Sequence, residues 1–442
     1  MVGFVSGSKT QAVQTATQIM SNASRAQYSA NPHFLHTLSG LLARQAIVVE
    51  HAISAPDGSI LLTSGSRLQP RHFQLLPQQL LRSPLESSLA LPDFAAHRLL
   101  REKSDQLLAD QALLQLLLQK TTHRHACLAV LENLPLNPAL TVLLAMLDQQ
   151  QLLEHGLLCC LFSLGLALRT GQSSALLEQI ALAALFHDIG ELYLDAGHPA
   201  QAAAGSAPLA WRHRMVHPLI AYRQMLQLGQ HPQLEAIALA MLQHHERLDG
   251  SGYPRREKEK QLGIAGQLIA VADLSCRLLQ KSHPGQRLDI ALRIIPGEFH
   301  RPAVAVMHRA LQQLDKDTAA MPTSAQAMAA LHALLKRIGE ITHLLLNLQE
   351  ETLTAAGQVA LGRCMGQFDT IQRSLFSTGM QASQPLAQEE DLQLEILLVT
   401  EEINWRLRNL GRDLSLAQDK LGPDDAMLFQ SLSSVLLAGT PA

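Results

Sequence analysis

One short segment, from His244 to Pro254, constrains the fold of this chain more than any other. It reads HHERLDGSGYP, so two adjacent histidines precede a turn that contains two glycines and a proline. Apolar residues at Ile237, Leu239 and Leu242 come before it, which predicts a helix that ends at the histidines. The turn residues then force the chain to leave the helix. Neighbouring imidazoles cannot share one helix face, but at a helix end they can diverge towards two nearby metal ions.

Upstream, a second histidine–acid pair follows another apolar stretch, and together the two pairs suggest a metal centre. Five imidazoles and two carboxylates lie within or beside the predicted middle helices. They are His155, His187, Asp188, His217, His244, His245 and Asp273. Seven ligands exceed what one ion uses, so we predict two ions bridged by Asp188. A mixed imidazole and carboxylate set suits iron, manganese or zinc, and two ions can lower the pKa of a shared water and clamp a phosphoryl group.

An alternative for single histidines is a structural role. The chain contains 20 histidines, and several, such as His51 and His283, are typical of surfaces or loops. His155 or His217 alone would more often be a helix-surface or core histidine. The two doublets favour the metal interpretation, because each lies where an apolar helix meets a polar break.

Composition limits the fold and the partners. Hydrophobic residues make up 47% of the 442 residues and aromatic residues only 4%, which favours helices rich in Leu and Ala. The net charge is -3 without an extended basic block, so nucleic-acid and membrane-surface binding have little electrostatic support. Five cysteines without CxxC spacing and the absence of a long apolar segment predict a cytoplasmic protein.

The pattern along the chain predicts four regions. A polar segment covers residues 1–34, and a small α/β domain with a connector helix covers 35–130. Residues 46–49 and 60–63 are predicted to form its β-hairpin, around a Pro-Asp-Gly turn. Residues 131–320 form the helical domain with the candidate ligands, and residues 321–442 form four helices, most simply an antiparallel bundle. That bundle suits a homodimer or a protein partner, or it is a folded appendage; both alternatives stay open.

The motifs resemble those of the HD-GYP family of HD-superfamily phosphohydrolases, HDxGK and HHExxDGxGYP. The first motif reads HDIGE from His187 to Glu191, and the second matches throughout from His244. His155, His217-Pro218 and Asp273 resemble the family's other ligands, and the similarity covers about residues 140–315. The resemblance implies a mainly α chain, with an HD-type helical metal-binding domain, a small α/β hairpin-containing domain ahead of it and a helical bundle behind it.

The resemblance also implies a phosphodiesterase that opens cyclic di-GMP to pGpG and GMP. It implies two iron or manganese ions, with His187 and Asp188 as catalytic residues. Some members hold a third ion through a glutamate where Gln151 stands, so two metals are expected here. The loop residues implied to wall the substrate pocket are Gly250, Gly252, Tyr253 and Pro254. A purely structural role, in which the two glycines only reverse the chain, is the alternative.

The chain departs from the family at its substrate positions. Glu191 replaces a lysine that faces the substrate phosphate in the family, and at ~6 Å and an effective dielectric of ~20 it would repel a phosphate by about 3 kcal/mol. Turning outward or pairing with Arg247 would reduce that effect; otherwise Glu191→Lys should raise activity. Further departures are Cys276, Gln267, Ser282 and Gly285, with Lys281 and Arg287 close by. These differences keep two alternatives: a signalling adaptor that binds metal with little turnover, and a phosphohydrolase for another cyclic dinucleotide.

Overall fold

The computed structural model describes residues 27–195, 208–314, 320–379 and 390–438. Within these ranges the chain forms seventeen α-helices and six short strands, so the predicted mainly α fold is confirmed. The first 26 residues of the predicted polar segment lie outside the described residues.

The chain divides into two compact units. Among the described residues, the first comprises 27–96, 135–152 and 224–232. The second comprises 97–134, 153–223 and 233–438, apart from the gaps given above. The four regions predicted from the sequence do not coincide with these units and stay a prediction.

The first unit contains all six strands. They are β1 (Tyr28–Ser29), β2 (Val48–Val49), β3 (Ile53–Ser54), β4 (Ile60–Leu62), β5 (Leu80–Leu81) and β6 (Leu89–Ala90). They pair antiparallel as β1–β5, β2–β6 and β3–β4. The helices wholly within this unit are α1 (Pro32–Leu42), α2 (His72–Leu75) and α6 (Pro138–Gln149). Asn31 caps α1, because its side chain accepts hydrogen bonds from the backbone N–H groups of His33 and Phe34.

The predicted hairpin is wrong in its first strand. Across the Pro-Asp-Gly turn, β4 pairs with β3, whereas β2 pairs with β6. The turn is tight, closed by a 3.0 Å hydrogen bond from Gly58 N to Ala55 O, so it joins only the residues directly beside it. The hydrophobic pair Val48-Val49 therefore finds its partner far along the chain.

The second unit is helical. Its helices before the bundle are α3 (Ala96–Asp110), α4 (Ala112–Leu117), α5 (Thr121–Glu132), α7 (Leu153–Arg169), α8 (Ser174–Leu185), α9 (Pro208–Leu228), α10 (Leu234–Gln243), α11 (Ile264–Leu278), α12 (Pro284–Arg293) and α13 (Arg301–Leu311); α9 extends into the first unit. Most side chains of α7 are buried, and this helix packs against α8 and α11. The predicted connector helix is interrupted between α3 and α4, where the Gln115 side-chain amide donates to the carbonyls of Leu108 and Ala109.

Four long helices complete the second unit. They are α14 (Ser324–Glu350), α15 (Ala355–Ser377), α16 (Glu390–Gln418) and α17 (Pro423–Leu437). We call them the bundle. They share one apolar core that includes Ile338, Ile403 and Phe429, and Ile295, which follows α12, belongs to the same core. The bundle is therefore packed onto the helices that precede it.

Candidate metal centre

The candidate ligands occupy helix ends and helix interiors of the second unit. His155 lies in the first turn of α7, and Asp273 lies within α11. His187 and Asp188 follow the end of α8, whereas His217 lies within α9. His244 is the C-terminal cap of α10, and His245 follows it. The fold brings all seven predicted residues together.

These side chains form two groups around Asp188. One group is His155, His187 and Asp273, and the other is His217, His244 and His245; the ligand atoms in each group lie within 4.8 Å of one another. Asp188 Oδ2 faces the first group, 3.2 Å from His187 Nε2 and 3.7 Å from His155 Nε2. Asp188 Oδ1 faces the second, 3.2 Å from His217 Nε2 and 3.7 Å from His244 Nε2. One carboxylate thus connects the two groups.

Three of the histidines are oriented by their own helices. The Nδ1 atoms of His187, His217 and His244 lie 2.7, 2.5 and 2.5 Å from the backbone carbonyl three residues earlier. A carbonyl only accepts hydrogen bonds, so Nδ1 carries a proton in each ring and Nε2 is directed to the centre.

Two observations test whether this donor set fits a metal ion. His217 Nε2 and His244 Nε2 lie 3.2 Å apart, and two lone pairs at that distance repel unless a cation lies between them. His187 Nε2 is fully buried and makes no hydrogen bond of good geometry, although Asp188 Oδ2 lies 3.2 Å away. Buried polar atoms normally have partners. Imidazole and carboxylate donors in this arrangement suit divalent transition metals, so the residues fit such ions.

The protonation of the metal-free cluster follows from burial and neighbouring charge. Burial, with the nearby His187, lowers the pKa of His244 well below its usual value, and burial with His244 lowers that of His245. Burial also disfavours the charged form of His187, but Asp188 and Cys159 outweigh it and raise the pKa of His187 to about 10. In the metal-free chain a proton therefore resides beside Asp188, where a metal ion would compete with it.

Glu246 and Gly252 fix the loop that follows the two histidines. The buried Glu246 carboxylate accepts backbone N–H bonds from Arg255, Arg256 and Glu257, at 2.6–3.1 Å. A Cβ atom at Gly252 would overlap the backbone between His245 and Arg247. Only glycine allows this close approach, so Gly252 packs the loop against the end of α10 besides reversing the chain.

Glu191 lies beside His217, one of the candidate ligands. Its Oε1 is 3.3 Å from His217 Nδ1, and its side chain is 22% exposed. Burial raises the pKa of Glu191, although the nearby His217 opposes this shift. Neither the outward orientation nor the pairing with Arg247 that the sequence left open is seen. A carboxylate on the outer nitrogen of a ligand histidine orients that ring.

A cavity of about 600 Å³ adjoins the centre; we call it the cleft. It reaches the ligand His245 and is lined by Gly250, Gly252 and Tyr253 of the predicted pocket loop, whereas Pro254 and Glu191 are not among its lining residues. Lys281 and Arg287 both line it, as expected of the nearby basic residues. The other departures do not contribute: Cys276 is buried against Cys159, and Gln267 bonds the Leu262 carbonyl.

The cleft is strongly basic. Ten Arg and Lys side chains and five Asp and Glu side chains line it, a surplus of five positive charges in a chain whose net charge is -3. Several of these residues were not predicted from the sequence, notably Trp211 and Arg214 of α9, Arg363 of α15 and Arg412 of α16. They are ordinary residues of amphipathic helices, and no motif distinguishes them in the sequence.

Comparison with known proteins is consistent with this geometry. Residues 143–298 match the HD domain family. Over 155 residues the chain is 31% identical to a cyclic di-GMP phosphodiesterase from Thermotoga maritima; the match covers 33% of this chain and 40% of that protein. The chain thus spans less than half the length of this relative.

A solved structure, Bd1817, a HDG"Y"P protein from Bdellovibrio bacteriovorus, is 15% identical, with a TM-score of 0.34. The overlap covers 61% of this chain and 94% of that protein, and at this TM-score it supports no conclusion.

The central segment of the chain is therefore an HD domain. The HDIGE and HHERLDGSGYP motifs lie within it, and the resemblance to the HD-GYP family is confirmed. Among the described residues, no single helix is long and apolar enough to cross a membrane. The consecutive helices α6 and α7 together have the length and apolar composition of a membrane span, but they are bent by 112° relative to each other.

Proposed function

We propose that this chain hydrolyses cyclic di-GMP to pGpG, and on to GMP, with two divalent transition-metal ions, iron or manganese. One ion would be held by His155, His187 and Asp273, the other by His217, His244 and His245, with Asp188 shared. The observation that carries this proposal is the position of Asp188, whose two oxygens face the two histidine groups separately. When bound, such an ion pair supplies a water of lowered pKa and polarises a phosphoryl oxygen.

The chain's own residues hold and orient the ligands. Backbone carbonyls direct the Nε2 atoms of three histidines inward, and Arg277 Nη2 lies 2.7 Å from Asp273 Oδ2. This guanidinium favours the ionised form of Asp273, whose pKa lies well below its usual value although burial opposes that shift. A carboxylate binds a metal ion in its ionised form, so Arg277 acts in the outer layer of the site.

The cleft supports an anionic substrate. A basic cavity with low-dielectric walls concentrates anions and accelerates their association, and a cyclic dinucleotide carries two phosphodiester charges. A volume of about 600 Å³ lies within the range of ligand-binding cavities. The activity given for the Thermotoga maritima relative supports cyclic di-GMP as the particular substrate.

A turnover assay tests the proposal. Protein purified anaerobically and loaded with Fe(II) or Mn(II) should hydrolyse cyclic di-GMP, with products resolved by chromatography, and Asp188→Asn should abolish turnover. Asp369→Asn, which removes an exposed carboxylate of α15, serves as the control. Protein that binds two metals but hydrolyses no member of a cyclic dinucleotide panel would contradict the proposal and leave the signalling adaptor. Turnover of a different cyclic dinucleotide alone would correct the substrate.

A further inference from the structure

We infer that α15 and α16 form the distal wall of the substrate cleft, and that Arg363 and Arg412 bind the half of the cyclic dinucleotide that lies away from the metal centre. The inference rests on the proposed function, because it takes cyclic di-GMP as the ligand. It assigns to the bundle a role in substrate specificity.

Ion pairs hold the bundle against the HD domain along this wall. Arg256, in the loop after the two histidines, lies 3.0 Å from Asp413 of α16. Arg287 of α12 lies 2.7 Å from Glu401 of α16. Glu298 lies 2.8 Å from Arg406, and both side chains are less than 10% exposed. These contacts, with the shared core at Ile295, make the wall a fixed part of the cleft.

The same contacts leave a defined set of cations without an acid. Arg256, Arg287 and Arg406 are neutralised by the ion pairs above. Among the described residues, the cleft-lining cations that pair with no acid are Arg214, Lys258, Lys281, Arg363 and Arg412. Two of these five, Arg363 and Arg412, come from the bundle.

The free arginines also repel their neighbours in the absence of ligand. Burial, with nearby Arg408 and Arg214, lowers the pKa of Arg412, and burial with Arg256 lowers that of Arg363. Gathering like charges in a partly desolvated wall costs free energy unless an anion neutralises them. An anionic ligand would relieve this repulsion.

A row of rings connects Arg412 to the metal centre. The Arg412 guanidinium lies 5.0 Å from the centroid of the Trp211 ring, the Trp211 ring lies 5.6 Å from that of Tyr253, and Tyr253 lies 4.6 Å from the ring of His245. Aromatic rings and guanidinium planes are the surfaces on which nucleic-acid bases stack. The row therefore places aromatic and guanidinium surface along the cleft between the metal end and α16.

The chemistry of the substrate requires such a second subsite. A cyclic dinucleotide has two phosphates and two purines, and only one phosphate can lie at the metal centre. Arginine suits both the second phosphate and a guanine base. Its planar guanidinium forms two parallel hydrogen bonds with a phosphate, or with the O6 and N7 atoms of guanine. Arg363 and Arg412 are placed and charged for these groups.

Kinetics with two substrates tests the inference on the full, metal-loaded chain. Arg412→Gln and Arg363→Gln should each raise the KM for cyclic di-GMP about 10–100-fold while kcat changes little. Contacts remote from the reacting phosphate stabilise the bound substrate and the transition state equally. The ratio of kcat/KM for cyclic di-GMP to that for bis(p-nitrophenyl) phosphate, a small diester, should fall by a similar factor. Arg412→Lys should recover part of the affinity.

The matched control is Arg373→Gln, an exposed arginine of α15 outside the cleft, paired with Asp369. Metal content and thermal unfolding establish that each variant is folded. Arg363 is exposed, so Arg363→Gln tests the proposed subsite even if Arg412→Gln unfolds. If wild type hydrolyses cyclic di-GMP and both variants behave like Arg373→Gln, the inference is overturned and the proposed function stands.

If wild type hydrolyses no cyclic dinucleotide, the proposed function fails, and calorimetric binding of cyclic di-GMP decides the inference separately. Binding that weakens at least tenfold in Arg412→Gln would support it. Absent binding, or binding unchanged in the variants, would overturn it.

Discussion

The two ends of the cleft position their functional side chains in different ways. At the metal end, His187, His217 and His244 are each oriented by a carbonyl three residues earlier in the same segment. At the bundle wall, Arg256 and Arg287 are neutralised by acids more than a hundred positions later in the chain. Orientation is local at one end, and charge balance is set by tertiary contacts at the other.

This difference determines what each end can tolerate. These local hydrogen bonds form with the helices that carry them, so the orientation of each of the three rings depends on few other residues. The bundle wall depends on the packing of distant helices, and which of its arginines remain free follows from which acids reach the others. The predictions below test the two ends separately, from the largest expected effect to the smallest.

The strongest test of the metal end is Asp188→Asn. This change removes the charge of the one side chain that faces both histidine groups, so we expect loss of most of both ions. The loss should exceed the ~10–100-fold that follows the removal of an outer-layer partner. Elemental analysis of anaerobically purified protein measures it, with Asp369→Asn as control. Two retained ions per chain would show that Asp188 does not connect the sites.

The strongest test of the bundle wall is Glu298→Ala. Glu298 is 4% exposed and lies near Arg406 and, at 3.7 Å, Arg247. Its removal leaves buried guanidinium charge uncompensated, which we expect to lower the free energy of unfolding by about 3–5 kcal/mol. Urea unfolding followed by circular dichroism measures the change. Asp369→Ala, which breaks an exposed pair, should cost less than about 1 kcal/mol; an equal effect of the two variants would refute the distinction.

The residues of the metal end were predicted from the sequence, because the signals that mark them are local. The His-Asp and His-His pairs at the ends of apolar helices can be recognised from neighbouring residues alone. His155, His187, Asp188, His217, His244, His245 and Asp273 therefore come together as the sequence predicted, although metal binding by them stays a prediction. The four helices of the bundle were likewise predicted, because apolar periodicity is local.

Features that depend on distant residues were not predicted. The pairing of Val48-Val49 with Leu89-Ala90 was missed, because strand partners are chosen by tertiary packing. The roles of Arg363 and Arg412 were missed for the same reason. Glu191 was expected to face the substrate, but its contact with His217 depends on how the turn after α8 meets α9.

A third prediction concerns the acid sensitivity of the metal-free protein. Burial lowers the pKa of His244 and His245 below the unfolded value of ~6.5, so below pH ~6.5 the unfolded chain binds more protons than the folded one. Stability should therefore fall as the pH decreases from about 6.5 to 5, by up to ~1.4 kcal/mol per pH unit for each histidine.

Other groups also titrate in this window. Burial lowers the pKa of His72, His123 and His300, which adds to the fall in stability, whereas burial raises the pKa of Glu191, Glu246 and Glu298, which opposes it. His187, with a pKa of about 10, is protonated in both states below pH 6.5, and the lowered pKa of Asp188 and Asp273 acts nearer pH 4 and below. Chelator-treated protein unfolded in urea at a series of pH values gives the slope, and His245→Gln should reduce it. An unchanged slope in His245→Gln would show that His245 is not buried in its neutral form.

The smallest predicted effect concerns Glu191, and its sign separates two roles. If this carboxylate orients His217 through Nδ1, as the 3.3 Å contact suggests, Glu191→Gln should weaken metal binding about 10–100-fold. Glu191→Lys should weaken it further, because an ammonium beside Nδ1 repels the ion held through Nε2. If Glu191 instead acts on the substrate phosphate, Glu191→Lys should raise kcat/KM by one to two orders of magnitude, about 1.4–2.8 kcal/mol, with unchanged metal content. Metal titration with a competing chelator, followed by kcat/KM at saturating metal, distinguishes the two. The control for the loss of one charge is Glu340→Gln, which changes an exposed glutamate of α14 paired with Lys336. A gain in kcat/KM for Glu191→Lys would show that Glu191 acts on the substrate phosphate and not on His217.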